Sequence, residues 1–169
     1  MRAVFETLGV QDVVAKSLSP QKLFGTPVGL MFYEVVPRLL KANITIPSLY
    51  SGDKSRIGVE AYPGLLARHL IGRRNYKQDA KAKQTKVQYA VRQELHKLLQ
   101  ESTFKDTYGM SVNAPGSLVE DPTGDRLDAL FCAIQAAWAW SKKKDNYGMP
   151  RCVDPLEGWI ADATLASSV

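Results

Sequence analysis

Apolar side chains recur at helical spacing in four stretches of the chain. Val28, Met31, Phe32, Val35, Leu39 and Leu40 form the first, with Thr26 placed to cap it, Pro27 in its first turn, Pro37 as a kink and Asn43 as its stop. The pattern then predicts a short helix over 65–71, closed by Gly72. A third helix, over 85–100, turns Val87, Val91, Leu95, Leu98 and Leu99 to one side. The fourth opens with Asp121 as N-cap and Pro122 at the first helical position, and it ends near Ser141-Lys142-Lys143-Lys144. Its stripe is Leu127, Leu130, Phe131, Ile134 and Trp138. Between the helices, 44–47, 56–62 and 156–162 read as short strands. Residues 50–55, 104–117 and 146–155 read as turns or loops. Near the start, Val4, Phe5, Leu8, Val13 and Val14 suit a short helix, followed by a turn at Ser19-Pro20. Strands and helices interleave, which predicts an α/β domain with helices flanking a small central sheet.

The fourth helix carries more than a core stripe. Asp121, Asp125 and Asp128 fall on one face with no base among them. Like charges at this spacing repel by a few tenths of a kcal/mol per pair. Acids in a first turn also suit the helix dipole, so ordinary capping accounts for Asp121 and Asp125 as well as a cation does. Asp128 lies deeper, where the dipole gives it little. Glu60 is the second carboxylate of interest, because it stands inside the apolar run Ile57-Gly58-Val59-Glu60-Ala61-Tyr62. A buried carboxylate there needs a partner, whereas on an edge strand it faces solvent. Glu60, Asp125 and Asp128 together offer hard oxygen ligands suited to Mg²⁺ or Mn²⁺. Two such ions about 4 Å apart can activate water and stabilise the leaving oxygen in phosphodiester cleavage.

A basic segment lies between the two acid groups. Arg73, Arg74, Lys77, Lys81, Lys83 and Lys86 outnumber its one acid, Asp79. Arg73, Arg74 and Lys77 are candidates to hold nucleic-acid phosphates, and Tyr76 among them is a candidate stacking surface. A solvated, flexible loop is the other reading of the same residues.

Composition narrows the rest. The chain has 169 residues, 45% hydrophobic and 23% charged, consistent with one globular domain over 1–169. A net charge of +5 permits a polyanionic partner without requiring one. Two cysteines, Cys132 and Cys152, make neither a disulfide framework nor a zinc cluster. His69 and His96 each stand alone on a helix without a second ligand nearby. No apolar run reaches the roughly 18 residues of a membrane span, and residues 1–16 lack the apolar core of a signal peptide. A cytoplasmic location and no membrane partner are the expectation. Phosphate-binding loop, dinucleotide-binding and nucleophile-elbow motifs are lacking.

Five short motifs, in order, resemble the DUF429 family, a family of unknown function regarded as predicted nucleases with an RNase H-like fold. They are Gly25-Thr26-Pro27-Val28-Gly29-Leu30-Met31-Phe32-Tyr33-Glu34, Val59-Glu60-Ala61-Tyr62-Pro63, Gly72-Arg73-Arg74-Asn75-Tyr76-Lys77, Gly124-Asp125-Arg126-Leu127-Asp128-Ala129 and Pro155-Leu156-Glu157-Gly158-Trp159-Ile160. The resemblance covers about 18–162. The Asp125-x-x-Asp128-Ala129 pattern is also similar to the last helix of RuvC-type resolvases. The family resemblance implies that Glu60 matches the middle-strand acid and that Asp125 and Asp128 match those of the final helix, all three as metal ligands. The first strand of such sites carries an Asp, and residues 1–17 contain only Asp12, in no strand pattern. The expectation is therefore an N-terminally incomplete RNase H-like fold, acting either as a metal-dependent nuclease or as an inactive nucleic-acid- or protein-binding remnant. Exposed sheet edges in such a fold would be covered by pairing with a second copy.

Overall fold

The computed structural model describes residues 28–150, 153 and 158–166. The readings made above for residues 1–27, for Cys152 and for Leu156-Glu157 lie outside the described residues. The described chain is mixed α/β, with six α-helices and one two-stranded sheet. Helix α1 spans Val28–Lys41 and runs through Pro37. Strands β1 (Ile44–Thr45) and β2 (Asp53–Ile57) follow, then α2 (Pro63–Ile71), α3 (Lys86–Leu98), α4 (Ser102–Tyr108), α5 (Asp125–Ser141) and α6 (Ala163–Ala166). Single 3₁₀ turns occur at Lys81–Lys83, Gly116–Glu120 and Asn146–Gly148.

The sheet is smaller than the sequence suggests. β1 and β2 pair in parallel with a register break between Ile44 and Thr45. A parallel pair ordinarily needs a crossover of a dozen residues or more. Here the link is residues 46–52, closed by local bonds instead. The Thr45 hydroxyl donates to the Asp53 carbonyl and accepts from Gly52 N–H, both at 3.0 Å. Gly52 is required at that point, because a Cβ there would lie 2.5 Å from the Asn43 carbonyl oxygen.

The strand expected over 56–62 ends at Ile57. Beyond it, Glu60 makes one parallel bridge to Ile160, with Ala161 N–H donating to the Glu60 carbonyl at 2.8 Å. The C-terminal segment therefore lies beside 58–62, as strand-like pairing would place it, but without a ladder. Gln135 of α5 ties both segments together. Its amide donates to the Tyr62 carbonyl at 3.1 Å and to Asp162 Oδ2 at 2.6 Å.

The main core is helical. Leu66 and Ile71 of α2, Val91 and Leu95 of α3, and Leu127, Phe131, Ile134 and Trp138 of α5 are buried together. The α5 stripe is as its spacing predicts, with Leu130 packed at its margin. On α3 the stripe is correct except at Val87, which is 72% exposed. Val87 sits in the first turn of α3.

Two boundaries differ for identifiable reasons. Residues 102–108 form a helix where a loop was expected. Phe104 and Tyr108, one turn apart, stack at 4.7 Å between centroids and bury both rings, and Gly109 in the left-handed region ends the turn. Helix α5 begins at Asp125, because Gly124 adopts φ +76° in front of it. Asp121 still serves the helix start. Its carboxylate accepts from Thr123 N–H and Arg126 N–H, each at 3.0 Å.

Candidate nucleic-acid interface

A cleft of about 470 Å³ opens where α2 meets the segment that follows it. Tyr62, Gly64, Arg68, Arg73, Arg74 and Lys77 line it, and no acidic side chain does. Tyr62 approaches Gly64 closely: a Cβ there would lie 3.1 Å from the phenol ring and would press it aside.

The basic segment is held by its backbone, not left loose. Arg92, itself only 4% exposed, donates to the Tyr76 carbonyl at 2.9 Å and to the Val119 carbonyl at 2.7 Å. Gln78 N–H donates to the Pro122 carbonyl at 3.0 Å. Gln88, which also closes the capping box of α3 with Thr85, reaches the Lys77 carbonyl at 3.5 Å. Arg92 and Gln88 do work that sequence reading missed. An Arg within the apolar spacing of an amphipathic helix was the available signal.

The expected phosphate contacts divide into different roles. Arg74 is braced within the protein: its guanidinium forms a two-pronged pair with Glu94 at 2.6 and 2.7 Å and reaches the Ile71 carbonyl at 3.0 Å. The hydrogen bond from Arg74 holds the Glu94 carboxyl below its usual range. Lys77 pairs with Asp128 Oδ2. Arg73 is exposed, with no hydrogen bond or ion pair among the described residues. Tyr76 does not offer a stacking face. It is 7% exposed, lies edge-on to Phe131 with centroids 6.3 Å apart, and donates its hydroxyl to Asp128 Oδ1 at 2.5 Å. Burial first, and the Asp128 hydrogen bond second, push its phenol far above the usual range, so it remains a donor.

The three candidate carboxylates are placed as follows. Asp125 and Asp128 stand one turn apart at the start of α5. Asp125 is exposed, and its Oδ2 accepts from the Thr123 hydroxyl at 3.0 Å, the same hydroxyl that lies 2.7 Å from Asp121 Oδ1. The Asp128 side chain is 17% exposed, with Tyr76 on one oxygen and Lys77 on the other. Glu60 is exposed at the end of the short bridge to Ile160, rather than buried in a strand. Among the described residues, no three His, Cys, Asp or Glu side chains gather into a group able to hold a metal ion. The described donor set therefore does not fit the divalent ion that the resemblance implies. Both Asp128 oxygens are engaged, and Glu60 does not join the pair on α5 as a third ligand.

His96 donates through Nε2–H to the Ala114 carbonyl at 2.8 Å, and His69 is exposed. Cys132 is half-buried, and burial, then the nearby Asp128 charge, pushes its thiol up. Among the described residues, no helix is long and apolar enough to cross a membrane.

Comparison with protein-family models, with curated proteins and with solved structures finds no match.

Proposed function

We propose that this chain binds the phosphate backbone of nucleic acid along the cleft between α2 and the basic segment that follows it, within an RNase H-like frame of the kind the DUF429 resemblance implies. The observation that carries the reading is the lining of the cleft: four cationic side chains and no acid around a space of about 470 Å³. Among the described residues that line the cleft, Arg73 is the cation free to engage a phosphate directly. Arg74 is fixed by Glu94 and supplies a positive wall. Backbone contacts of this kind are insensitive to sequence and weaken as salt rises. The test is anisotropy of labelled single- and double-stranded DNA and RNA at several salt concentrations. Binding that Arg73→Ala does not change, or no binding at all, would reject it.

A second reading, divalent-metal-dependent cleavage of phosphodiester bonds, has one observation in its favour. Asp125 and Asp128 stand one helical turn apart at the start of α5. Its measurement is cleavage of a nucleic-acid panel with Mg²⁺ or Mn²⁺, wild type against Asp128→Ala. Equal rates in both proteins, or none in either, would remove it.

Self-association is part of the same proposal. Leu30, Met31, Tyr33 and Val35 of α1 are each about half exposed or more, apolar area that a second copy would cover. Sedimentation of the full chain against Leu30→Glu distinguishes a dimer from a monomer.

A further inference from the structure

The Asp128 carboxylate already has a cation. Lys77 Nζ pairs with Oδ2, while the Tyr76 hydroxyl holds Oδ1. The backbone that carries both side chains is held in place. The Lys77 backbone is fixed through its carbonyl by Gln88 and through its neighbours by Arg92 and Pro122. The stem of Lys77 runs over Gly124, close enough that a Cβ there would lie 2.8 Å from Lys77 Cβ. A glycine has therefore left the space through which the lysine reaches the first turns of α5. We propose that Lys77 serves as a resident cation for Asp128, occupying the position in which a divalent metal would otherwise bind, so that the cleft engages nucleic acid without a metal.

The chemistry supports exclusion rather than sharing. Mg²⁺ sheds water reluctantly and is ordinarily drawn by one or two uncompensated carboxylates. A carboxylate neutralised by an ammonium has lost that attraction, and a divalent ion brought beside Lys77 would meet a like charge at a few ångströms. Asp125 alone, exposed and bonded to Thr123, does not replace it. The inference rests on the backbone-binding reading for what the cleft holds, but its own observable is metal affinity.

The experiment uses the full chain and Mn²⁺ itself as probe, read by loss of the free-ion electron paramagnetic resonance signal. Wild type, Lys77→Gln, Lys77→Arg, Asp128→Asn and the Lys77→Gln/Asp128→Asn double variant are compared, each checked for folding by circular dichroism. Wild type should bind Mn²⁺ no better than Asp128→Asn. Lys77→Gln should bind at least about tenfold more tightly, and the double variant should return to the wild-type level. Lys77→Arg keeps the charge and should stay with wild type, an outcome that a merely structural role for Lys77 would not produce. Tight Mn²⁺ binding by wild type that Asp128→Asn removes would overturn the proposal, as would Lys77→Gln matching wild type. A second arm measures oligonucleotide binding with and without a chelator. If binding exists but collapses with chelator, the metal-free claim is wrong. If no oligonucleotide binds, the backbone-binding reading fails, while the Mn²⁺ series still decides the role of Lys77.

Discussion

The Tyr76 hydroxyl donates to Asp128 Oδ1 across 2.5 Å, joining the cleft's basic segment to the first turns of α5. The bond belongs to a partly buried, charged acceptor, which places it above the ordinary neutral hydrogen bond in strength. Tyr76→Phe keeps the ring against Phe131 and removes only this donor. The expected loss is about 1–2 kcal/mol of folding free energy by chemical denaturation, with the helical circular dichroism unchanged. A variant as stable as wild type would mean that solvent replaces the phenol without cost.

Gly124 is placed to fail on substitution for two independent reasons. Its φ of +76° lies in the left-handed region, and a Cβ would press on the Lys77 stem at 2.8 Å. Gly124→Ala should cost about 1–3 kcal/mol through strain and the displaced side chain together. It should also disturb the Lys77–Asp128 pair without touching either residue's chemistry. Thermal unfolding reads the first effect, and oligonucleotide affinity reads the second.

Asp162 is the most concentrated polar contact in the described core. With no exposure to solvent, it accepts from the Tyr108 hydroxyl at 3.1 and 3.2 Å, from Gln135 at 2.6 Å and from Thr164 through both backbone N–H at 2.9 Å and hydroxyl at 2.6 Å. Burial, and then the Asp162 charge, push the Tyr108 phenol far above its usual range, so it stays a donor. Asp162→Ala leaves several buried donors unpaired at once and should cost at least about 3 kcal/mol. Tyr108→Phe removes one donor and should cost about 1 kcal/mol, because the other donors remain satisfied. In a double-mutant cycle the two losses should not add.

How far the chain could be read from its letters follows from where the determining contacts lie. The α5 stripe and most of the α3 stripe depend on helical period alone, and both were legible. The capping box of Thr85 and Gln88 was there to be seen, since both partners are local. The α4 turn was hidden, because only two aromatic residues in a polar heptapeptide define it, and they fold when the core accepts them. The sheet was overread, because the apolar residues around Glu60 and Ile160 suit a single bridge as well as a ladder. At the site, the basic segment and the acid pair were legible as charges. Their mutual pairing was not, because Lys77 and Asp128 lie 51 residues apart and nothing local in the sequence brings them together.

The start of α5 should be acid-sensitive. Partial burial pushes the Asp121 carboxyl up, but hydrogen bonds from Arg126 N–H and the Thr123 hydroxyl and N–H outweigh it, leaving the carboxyl below its ordinary 3.8. A folded-state value below the unfolded one means the ionised form is favoured by folding. Its stabilisation is therefore fully present above pH 3.8 and is lost as pH falls through the lower folded value. Asp121→Ala should cost about 0.5–2 kcal/mol near neutrality, the usual worth of such a cap. The gap between wild type and variant should narrow below pH 3.8, measured by urea denaturation across acid pH. A gap constant down to pH 3 would show that the cap acts without its charge.

Arg73 and Arg74 are neighbours in sequence that differ in what they can give to a ligand, and the difference is measurable. Arg74 spends its donors on Glu94 and Ile71, whereas Arg73 spends none on the described protein. A cation that neutralises one phosphate releases about 0.7 of a counterion from a single strand, so removing it lowers the slope of log affinity against log salt by that amount. Arg73→Ala should therefore weaken single-strand binding for all sequences alike and reduce the salt slope by about 0.7. Arg74→Ala should instead lower stability slightly, as expected for a half-exposed pair, and leave the slope nearly unchanged. The reverse ranking, with Arg74 setting the slope and Arg73 silent, would mean that nucleic acid pulls Arg74 away from Glu94 on binding.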